Sequence, residues 1–167
     1  MRYLVLLTSV VFLFSASVVN AQKGKVNYSG KWALNVEKSD LGDTSGGRRG
    51  GMPASKMNVE QKGNKLTVEA FRKNQEGAED STVSNYTLDG KECKNEGNNR
   101  VSVSVLNWTD NGKTLAIAST ITVSRGGQEF NFKATEIWSL TEGILTVKTT
   151  RTTQRGERIT TAVYNKS

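Results

Sequence analysis

Hydrophobic and polar residues alternate with a period of two through most of the chain after residue 21, and no segment there shows a sustained 3.6-residue period. The alternating runs are short, and Gly, Asn and Asp dipeptides separate them, which is typical of β-strands joined by hairpins. The pattern therefore predicts an all-β protein. The predicted strands are Lys31–Val36, Ser55–Lys62, Lys65–Arg72, Ser81–Leu88, Lys91–Glu96, Arg100–Trp108, Thr114–Ser124, Gln128–Leu140, Ile144–Thr153 and Arg158–Asn165.

The turn dipeptides also predict which residues face each other, because a two-residue hairpin loop fixes the register of its strands. In nearly every predicted pair, an apolar residue meets another apolar residue. The predicted pairs are Val59 with Val68 and Met57 with Ala70 around Gly63-Asn64; Tyr86 with Cys93 around Asp89-Gly90; Trp108 with Leu115 and Leu106 with Ile117 around Asn111-Gly112; and Val123 with Phe130, Ile121 with Phe132, Ile117 with Glu136 and Leu115 with Trp138 around Gly126-Gly127.

One strand carries a conflict between its two halves. The Asn111-Gly112 register places Leu106 on the apolar face but Val101, Val103 and Val105 on the opposite face. A β-bulge near Leu106 would return the three valines to the apolar face. We therefore expect a bulge at that point.

Consecutive hairpins build an antiparallel up-and-down meander, and a meander of this length must protect its edges. Closure into a β-barrel of about eight to ten strands does so most economically, with an interior that is either filled by side chains or open to one small ligand. A β-sandwich is the alternative architecture. It would need long crossing connections, and the segment 37–54 is the one long link.

The composition excludes several kinds of catalytic and metal-binding site. The chain has no His and one Cys, and 23 Lys+Arg stand against 16 Asp+Glu, for a formal net charge of +7. Catalytic histidine pairs, histidine-ligated metals and an internal disulfide are therefore excluded. We expect no enzyme, no catalytic residues, no cofactor and no metal site. The basic residues are mostly dispersed among acids, so we expect no nucleic-acid partner.

The N-terminal segment has the features of a secretory signal. A positive start at Arg2 is followed by an apolar stretch and by small residues ending at Ala21, after which we expect cleavage. Residues 22–167 then form one domain, with a flexible Gly/Arg-rich loop at 40–54. The expected protein is secreted or periplasmic, monomeric, and not inserted in a membrane after cleavage.

The opening of the domain carries a short motif. Gly30-Lys31-Trp32 precedes the first strand and Lys38-Ser39 follows it. With the hairpin meander, this resembles the calycin superfamily, namely the lipocalins and fatty-acid-binding proteins, and also the small exported lipocalin-like domains of bacteria. The resemblance implies a lipocalin-like barrel for hydrophobic ligands.

The same resemblance implies roles for single residues. Trp32 would plug one end of the barrel beneath a basic side chain from the last strands, Arg151 or Arg158. Fatty-acid-binding proteins hold the ligand carboxylate with Arg-x-Tyr on the final strand, whereas this chain has Ala162-Val163-Tyr164. The tyrosine matches and the arginine does not, so the resemblance implies lipocalin-type ligand diversity rather than that carboxylate clamp.

The predicted registers also place charged residues inside the barrel. Glu136 shares a face with Trp138 and lies diagonal to Arg151, its expected ion-pair partner, because a buried carboxylate must be paired or protonated. If Arg155-Gly156 is a two-residue loop, Arg151 faces Thr160 and both Arg158 and Tyr164 point inward. If the loop has three residues, the alternate face points inward instead, with Ile159, Thr161 and Val163.

An apolar wall with a few convergent polar groups is the usual form of a small-molecule site. We therefore expect an exported protein that binds a small hydrophobic or amphipathic ligand. The alternative is a structural or protein-interaction module with a filled barrel, acting through its Gly/Arg loop or its exposed faces. The expected ligand-binding residues are Glu136, Arg151, Arg158, Tyr164, Phe130, Phe132, Trp138, Leu115 and Ile117.

Overall fold

The computed structural model describes residues 24–42, 52–73, 77–97, 99–153 and 156–167. The predicted signal segment 1–21 and most of the predicted Gly/Arg-rich loop lie outside these ranges. Each predicted strand is present, and the largest difference is at the first strand, which continues to Asp40. The strands are β1 Gly30–Asp40, β2 Lys56–Lys62, β3 Lys65–Lys73, β4 Glu79–Thr87, β5 Glu92–Gly97, β6 Arg100–Thr109, β7 Thr114–Arg125, β8 Gln128–Thr141, β9 Ile144–Thr153 and β10 Gly156–Lys166.

The strands form one antiparallel sheet in the order β4-β3-β2-β1-β10-β9-β8-β7-β6-β5. Every neighbouring pair is consecutive in the chain except β1 with β10, which joins the two ends of the meander. The sheet curls until its two edge strands, β4 and β5, approach each other. The result is a nearly closed barrel, which confirms the predicted architecture and excludes the sandwich. No helix in the described ranges is long and apolar enough to cross a membrane.

The predicted hairpin between β4 and β5 is wrong, because these strands lie at opposite edges of the sheet. Leu88 is buried, and its backbone N–H donates to the carbonyl of Asn64 at 2.9 Å, which extends the pairing of β4 with β3 by one residue beyond Thr87. Side chains bridge the gap instead. The Asn95 amide accepts from the backbone N–H of Asn85 at 2.7 Å and donates to its carbonyl at 3.1 Å.

The registers predicted around Gly63-Asn64, Asn111-Gly112 and Gly126-Gly127 are confirmed. Val59 faces Val68 across Gly63-Asn64. Leu115 faces both Trp108 on β6 and Trp138 on β8. Gly63 and Gly126 have φ of +52° and +59°, a conformation that a tight hairpin needs and that glycine adopts without strain.

The predicted bulge in β6 is wrong. The β6–β7 ladder runs without a shift from Arg100 opposite Val123 to Thr109 opposite Thr114. Alternation on β6 therefore turns Ser102, Ser104 and Leu106 inward and the three valines outward. The polar inner face is tolerated because the Ser104 and Ser119 hydroxyls hydrogen-bond at 2.8 Å, so a buried polar group is satisfied.

The bulge that does occur lies in β1, where the register with β10 shifts between Asn35 and Asp40. Ser39 replaces the lost ladder contacts, because its hydroxyl donates to the Asn35 carbonyl at 2.6 Å and accepts from the Val163 N–H at 2.9 Å. The first strand can therefore continue past the bulge toward the open end of the barrel.

The last hairpin differs from the favoured register by two residues. Arg151 faces Arg158 rather than the predicted Thr160, which lies opposite Thr149 instead, and the pairing continues to Thr153 opposite Gly156. A two-residue shift keeps the same side chains on the same face. Arg158 and Tyr164 consequently point inward as predicted, while Ile159 is 49% exposed and the three-residue alternative is excluded.

Aromatic side chains close one end of the barrel. The Tyr28 ring stacks on Trp108 with centroids 6.0 Å apart and meets Trp138 edge-on at 5.8 Å. Its hydroxyl donates to the Trp138 carbonyl at 2.8 Å, and the Trp32 indole donates to the Tyr28 carbonyl at 3.0 Å. We call Tyr28, Trp32, Trp108 and Trp138 the aromatic plug.

The basic cover over Trp32 is Lys166, with its ammonium 5.7 Å from the ring centroid, and not the predicted Arg151 or Arg158. The reason is register: Lys166 lies directly opposite Trp32 on β10, whereas both arginines lie at the other end of their strands. A basic residue of the last strand thus fulfils the expected role from a different position.

Candidate ligand-binding site

A cavity of about 220 Å³ lies inside the barrel and is lined by residues of β2 to β8. The aromatic plug bounds its inner end through Trp138. Its lining is mixed: apolar residues come from the core, and polar residues come from β4, β5 and β6. The main apolar residues are Met57, Val68, Ala70, Ile117, Ile121, Ala134 and Trp138; the main polar ones are Arg72, Thr82, Ser84, Tyr86, Asn95, Arg100, Ser102, Ser104, Ser119 and Glu136.

Three of the predicted ligand-binding residues, Glu136, Trp138 and Ile117, line this cavity. Leu115 is fully buried in the core instead. Tyr164 is also buried, and its hydroxyl donates to the Ala54 carbonyl at 3.1 Å, so it is used in packing.

The other predicted residues lie toward the open end. Phe130 is 51% exposed near the tip of the β7–β8 hairpin, so it is not part of a buried apolar wall. Phe132 lies half-buried beneath the Arg151 guanidinium, 4.6 Å from its ring centroid. Arg158 donates to the Leu41 carbonyl at 2.9 Å.

The predicted ion pair between Glu136 and Arg151 does not form. The registers are as expected, with Glu136 opposite Thr149 and Arg151 opposite Ala134. However, Glu136 Oε2 accepts a hydrogen bond from the Trp138 indole at 2.9 Å, and Arg151 lies on Phe132 instead. Because Arg151 lies diagonal to Glu136, the carboxylate instead accepts a hydrogen bond from Trp138, its neighbour on the same strand.

Arginines gather at the open end of the barrel, and sequence reasoning missed two of them. Alternation from Leu66 through Ala70 turns Arg72 inward at the end of β3, and alternation from Leu106 through Ser102 turns Arg100 inward at the start of β6. Arg151 and Arg158 face each other on β9 and β10 at the same end. We call Arg72, Arg100, Arg151 and Arg158 the arginine collar.

The collar concentrates positive charge. Burial lowers the pKa of Arg151, and the nearby charges of Arg100, Arg158 and Arg72 lower it further, while Glu136 opposes the shift. Burial and Arg72 likewise lower the pKa of Arg100. None of the four guanidinium groups forms an ion pair with a carboxylate in the described ranges.

Few acids balance this charge on the inner face. Glu136 lies deeper in the cavity, and Asp80 faces Arg72 across the β3–β4 ladder at the exposed rim. Glu96 also borders the cavity, but it pairs with Lys94. The collar therefore retains an excess of positive charge toward the cavity mouth.

Cys93 is buried, with 8% of its surface exposed. Its sulfur accepts from the Thr87 backbone N–H at 3.1 Å. The described residues contain no group of His, Cys, Asp and Glu side chains that could hold a metal ion.

Comparison with solved structures shows the same fold in known proteins. A zebrafish ileal bile acid-binding protein complexed with cholic acid matches with a TM-score of 0.54 and 14% identity, over 84% of this chain and 98% of that one. A fatty acid transporter, REP1-NXSQ, matches with a TM-score of 0.54 and 14% identity, over 83% and 95%. A secretory abundant heat soluble protein from Ramazzottius varieornatus matches with a TM-score of 0.54 and 14% identity, over 84% and 95%.

These structures are fatty-acid-binding-protein-like barrels of the calycin fold, so the fold implied by the Gly30-Lys31-Trp32 motif is confirmed. No protein-family model matches the chain, and a search of curated sequences found no relative.

Proposed function

We propose that this protein binds a small amphipathic molecule in the barrel cavity, with the apolar part against Ile117 and Trp138 and an anionic end at the arginine collar. The observation that carries the proposal is the combination of an apolar inner cavity with guanidinium groups at its mouth that have no carboxylate partners in the described ranges. Two of the structural neighbours are a bile acid-binding protein complexed with cholic acid and a fatty acid transporter, which supports a ligand of this kind.

The alkyl chain and the anionic end of the ligand would be stabilised by different residues of the site. Moving an alkyl chain from water to the apolar residues contributes about 0.8 kcal/mol for each buried methylene. The anionic end would stay near water, so it would receive guanidinium hydrogen bonds without a large desolvation cost. The cavity of about 220 Å³ lies below the roughly 300 Å³ at the lower end of typical ligand pockets. A short ligand is therefore favoured.

We also propose that the protein is exported as a monomer after cleavage following Ala21, to the periplasm or the extracellular medium. The support is the charge and apolar pattern of residues 1–21. A binding role rather than catalysis is supported by Glu136, whose hydrogen-bond partner among the described residues is the Trp138 indole rather than a second acid–base group, because acid–base chemistry needs a second group placed against the first.

The small cavity also favours the second candidate, a filled barrel that acts as a structural or interaction module. A matched pair of variants separates the two. Ser102 lines the cavity and Val103 points outward from the same strand. Ser102→Phe fills the cavity, and Val103→Phe adds the same side chain outside.

The measurement is isothermal titration calorimetry of octanoate against the full protein and both variants. Binding by the wild type and Val103→Phe, with loss in Ser102→Phe, is the expected result. If no octyl probe, whether anionic or neutral, binds the wild type while Ser102→Phe raises the free energy of unfolding, the filled-barrel candidate is correct and the binding proposal is wrong.

A further inference from the structure

The arginine collar has more charge than a single carboxylate can balance. Four guanidinium groups stand on the inward face at one end of the barrel, contributed by β3, β6, β9 and β10. Among the described residues, the inward-facing acids that stand against them are Glu136 inside and Asp80 at the rim. The difference is two positive charges, which a monocarboxylate would only half neutralise.

Resting on the proposed function, we propose that the anionic end of the ligand is a phosphomonoester, so that the protein binds a short-chain amphipathic phosphate. A phosphomonoester carries a charge of about −1.5 to −2 at pH 7 and offers three strong acceptor oxygens. Its charge matches the excess of the collar, and its several oxygens allow guanidinium groups from different strands to bind at once.

The side-chain chemistry of the collar fits this group. Arginine presents planar, forked donors that bind phosphate oxygens two at a time, whereas a lysine ammonium acts as a point charge. Arg72 and Arg100 border the cavity from opposite sides of the gap between β4 and β5. Arg151 and Arg158 are half-buried across the mouth, and their contacts with Phe132 and the Leu41 carbonyl hold them in place.

Glu136 sets the depth at which the phosphate would bind. Its carboxylate lies below the collar and hydrogen-bonds Trp138 at the inner end of the cavity. A phosphate that moved deeper would meet this negative charge in surroundings of low dielectric constant, where repulsion is strong. The carboxylate therefore keeps the anionic end at the mouth and leaves the inner space to the alkyl chain.

Calorimetric titration of the full protein with four probes tests the proposal. Octyl phosphate, octanoate and octanol share one chain and differ in the head group, and inorganic phosphate has the head group without the chain. We expect octyl phosphate to bind at least about tenfold more tightly than octanoate, a ratio that corresponds to 1.4 kcal/mol. Octanol and inorganic phosphate should each bind more weakly than octyl phosphate by a larger factor.

Variants identify the residues responsible. Arg100→Gln should weaken octyl phosphate binding by about tenfold. Arg100→Lys, which keeps the charge but loses the fork, should recover only part of the loss. Lys148→Gln is the matched control, because it removes one positive charge from the outward face of β9. Its affinity should equal that of the wild type.

The outcomes separate this proposal from the proposed function. If octanoate binds as tightly as octyl phosphate, the phosphate inference is wrong and the proposed function stands. If inorganic phosphate binds as tightly as octyl phosphate, the collar is a site for free phosphate and the amphipathic phosphate is wrong. If none of the alkyl probes binds, both proposals are wrong.

Discussion

Glu136 and Trp138 lie two residues apart on β8, and the indole N–H of Trp138 donates to the Glu136 carboxylate at 2.9 Å. Both side chains point into the barrel, so one strand supplies an aromatic wall and an anchored negative charge. Because the carboxylate is held by its own strand, Arg151 is not drawn into an ion pair with it. The arginine collar therefore stays available to an outside anion.

Removing the Glu136 charge should strengthen the binding of anions. In Glu136→Gln, the amide oxygen can still accept the Trp138 N–H, while repulsion of a negative ligand is lost. We expect the affinity for octanoate to rise about fivefold, as a single charge at this range would give. Calorimetry with Glu129→Gln, an exposed site on the outward face of β8, provides the control. An unchanged or weaker affinity in Glu136→Gln would contradict the role assigned to this carboxylate.

The aromatic plug should depend on the Tyr28 hydroxyl. Tyr28→Phe removes both hydrogen bonds that the hydroxyl donates, to the Trp138 carbonyl at 2.8 Å and to the Lys113 carbonyl at 3.2 Å. The free energy of unfolding in urea should fall by about 1–3 kcal/mol. Tyr86→Phe is the matched control, because it removes the same hydroxyl from a tyrosine that borders the cavity and is not part of the plug. Equal losses in the two variants would show that the plug hydroxyl has no special role.

The raised pKa of Tyr28 predicts how the free energy of unfolding changes at alkaline pH. Burial raises the pKa of Tyr28 to about 12, from an ordinary value of 10.0. Burial, with the nearby Glu136 charge, also raises the pKa of Tyr164. The folded state thus holds protons that the unfolded state releases above pH 10, so stability is fully present below pH 10 and is lost as the pH rises toward 12.

Urea unfolding at a series of pH values up to about pH 11 measures this loss. Tyr28→Phe removes one of the raised groups, so its unfolding free energy should decline less steeply over the same range. Parallel slopes for the wild type and the variant would show that Tyr28 does not contribute to the alkaline loss.

Short turns made part of the fold predictable from the sequence. The Gly63-Asn64 and Gly126-Gly127 turns fixed the pairing of Val59 with Val68 and of Ile117 with Glu136, because a two-residue loop leaves one register. The β4–β5 gap could not be predicted in this way. At this gap the Asn95 side chain, rather than a backbone ladder, joins β5 to Asn85, and a tertiary contact of this kind leaves no signal in a turn dipeptide.

Two of the four collar arginines, Arg72 and Arg100, are not among the predicted ligand-binding residues, and the reason is physical. The expected bulge near Leu106 rested on the rule that valines face inward, and it turned Arg100 to the outside. The structure keeps Val101, Val103 and Val105 outward and satisfies the inner serines by the Ser104–Ser119 hydrogen bond. The alternation of Leu66, Val68 and Ala70 predicts that Arg72 also points inward. Its part in a binding site becomes evident only when the fold brings the three other arginines to the same end of the barrel.

The buried thiol gives a further test of the barrel seam. Cys93 lies beside the β4–β5 gap, 8% exposed, with the Thr87 N–H at 3.1 Å from its sulfur. A thiol reagent such as DTNB should label it at least about a hundredfold more slowly in the native protein than in denaturant, because reaction needs local opening. Labelling at the denatured rate would show that this edge of the barrel is open in solution.

The most direct test of a ligand inside the barrel is an NMR measurement of intermolecular NOEs between octyl phosphate and the methyl groups of the protein. The account predicts NOEs from the alkyl chain to the methyl groups of Ile117 and Val68, both of which line the cavity. NOEs confined to exposed residues such as Ile159, or a complete absence of intermolecular NOEs at saturating probe, would contradict it.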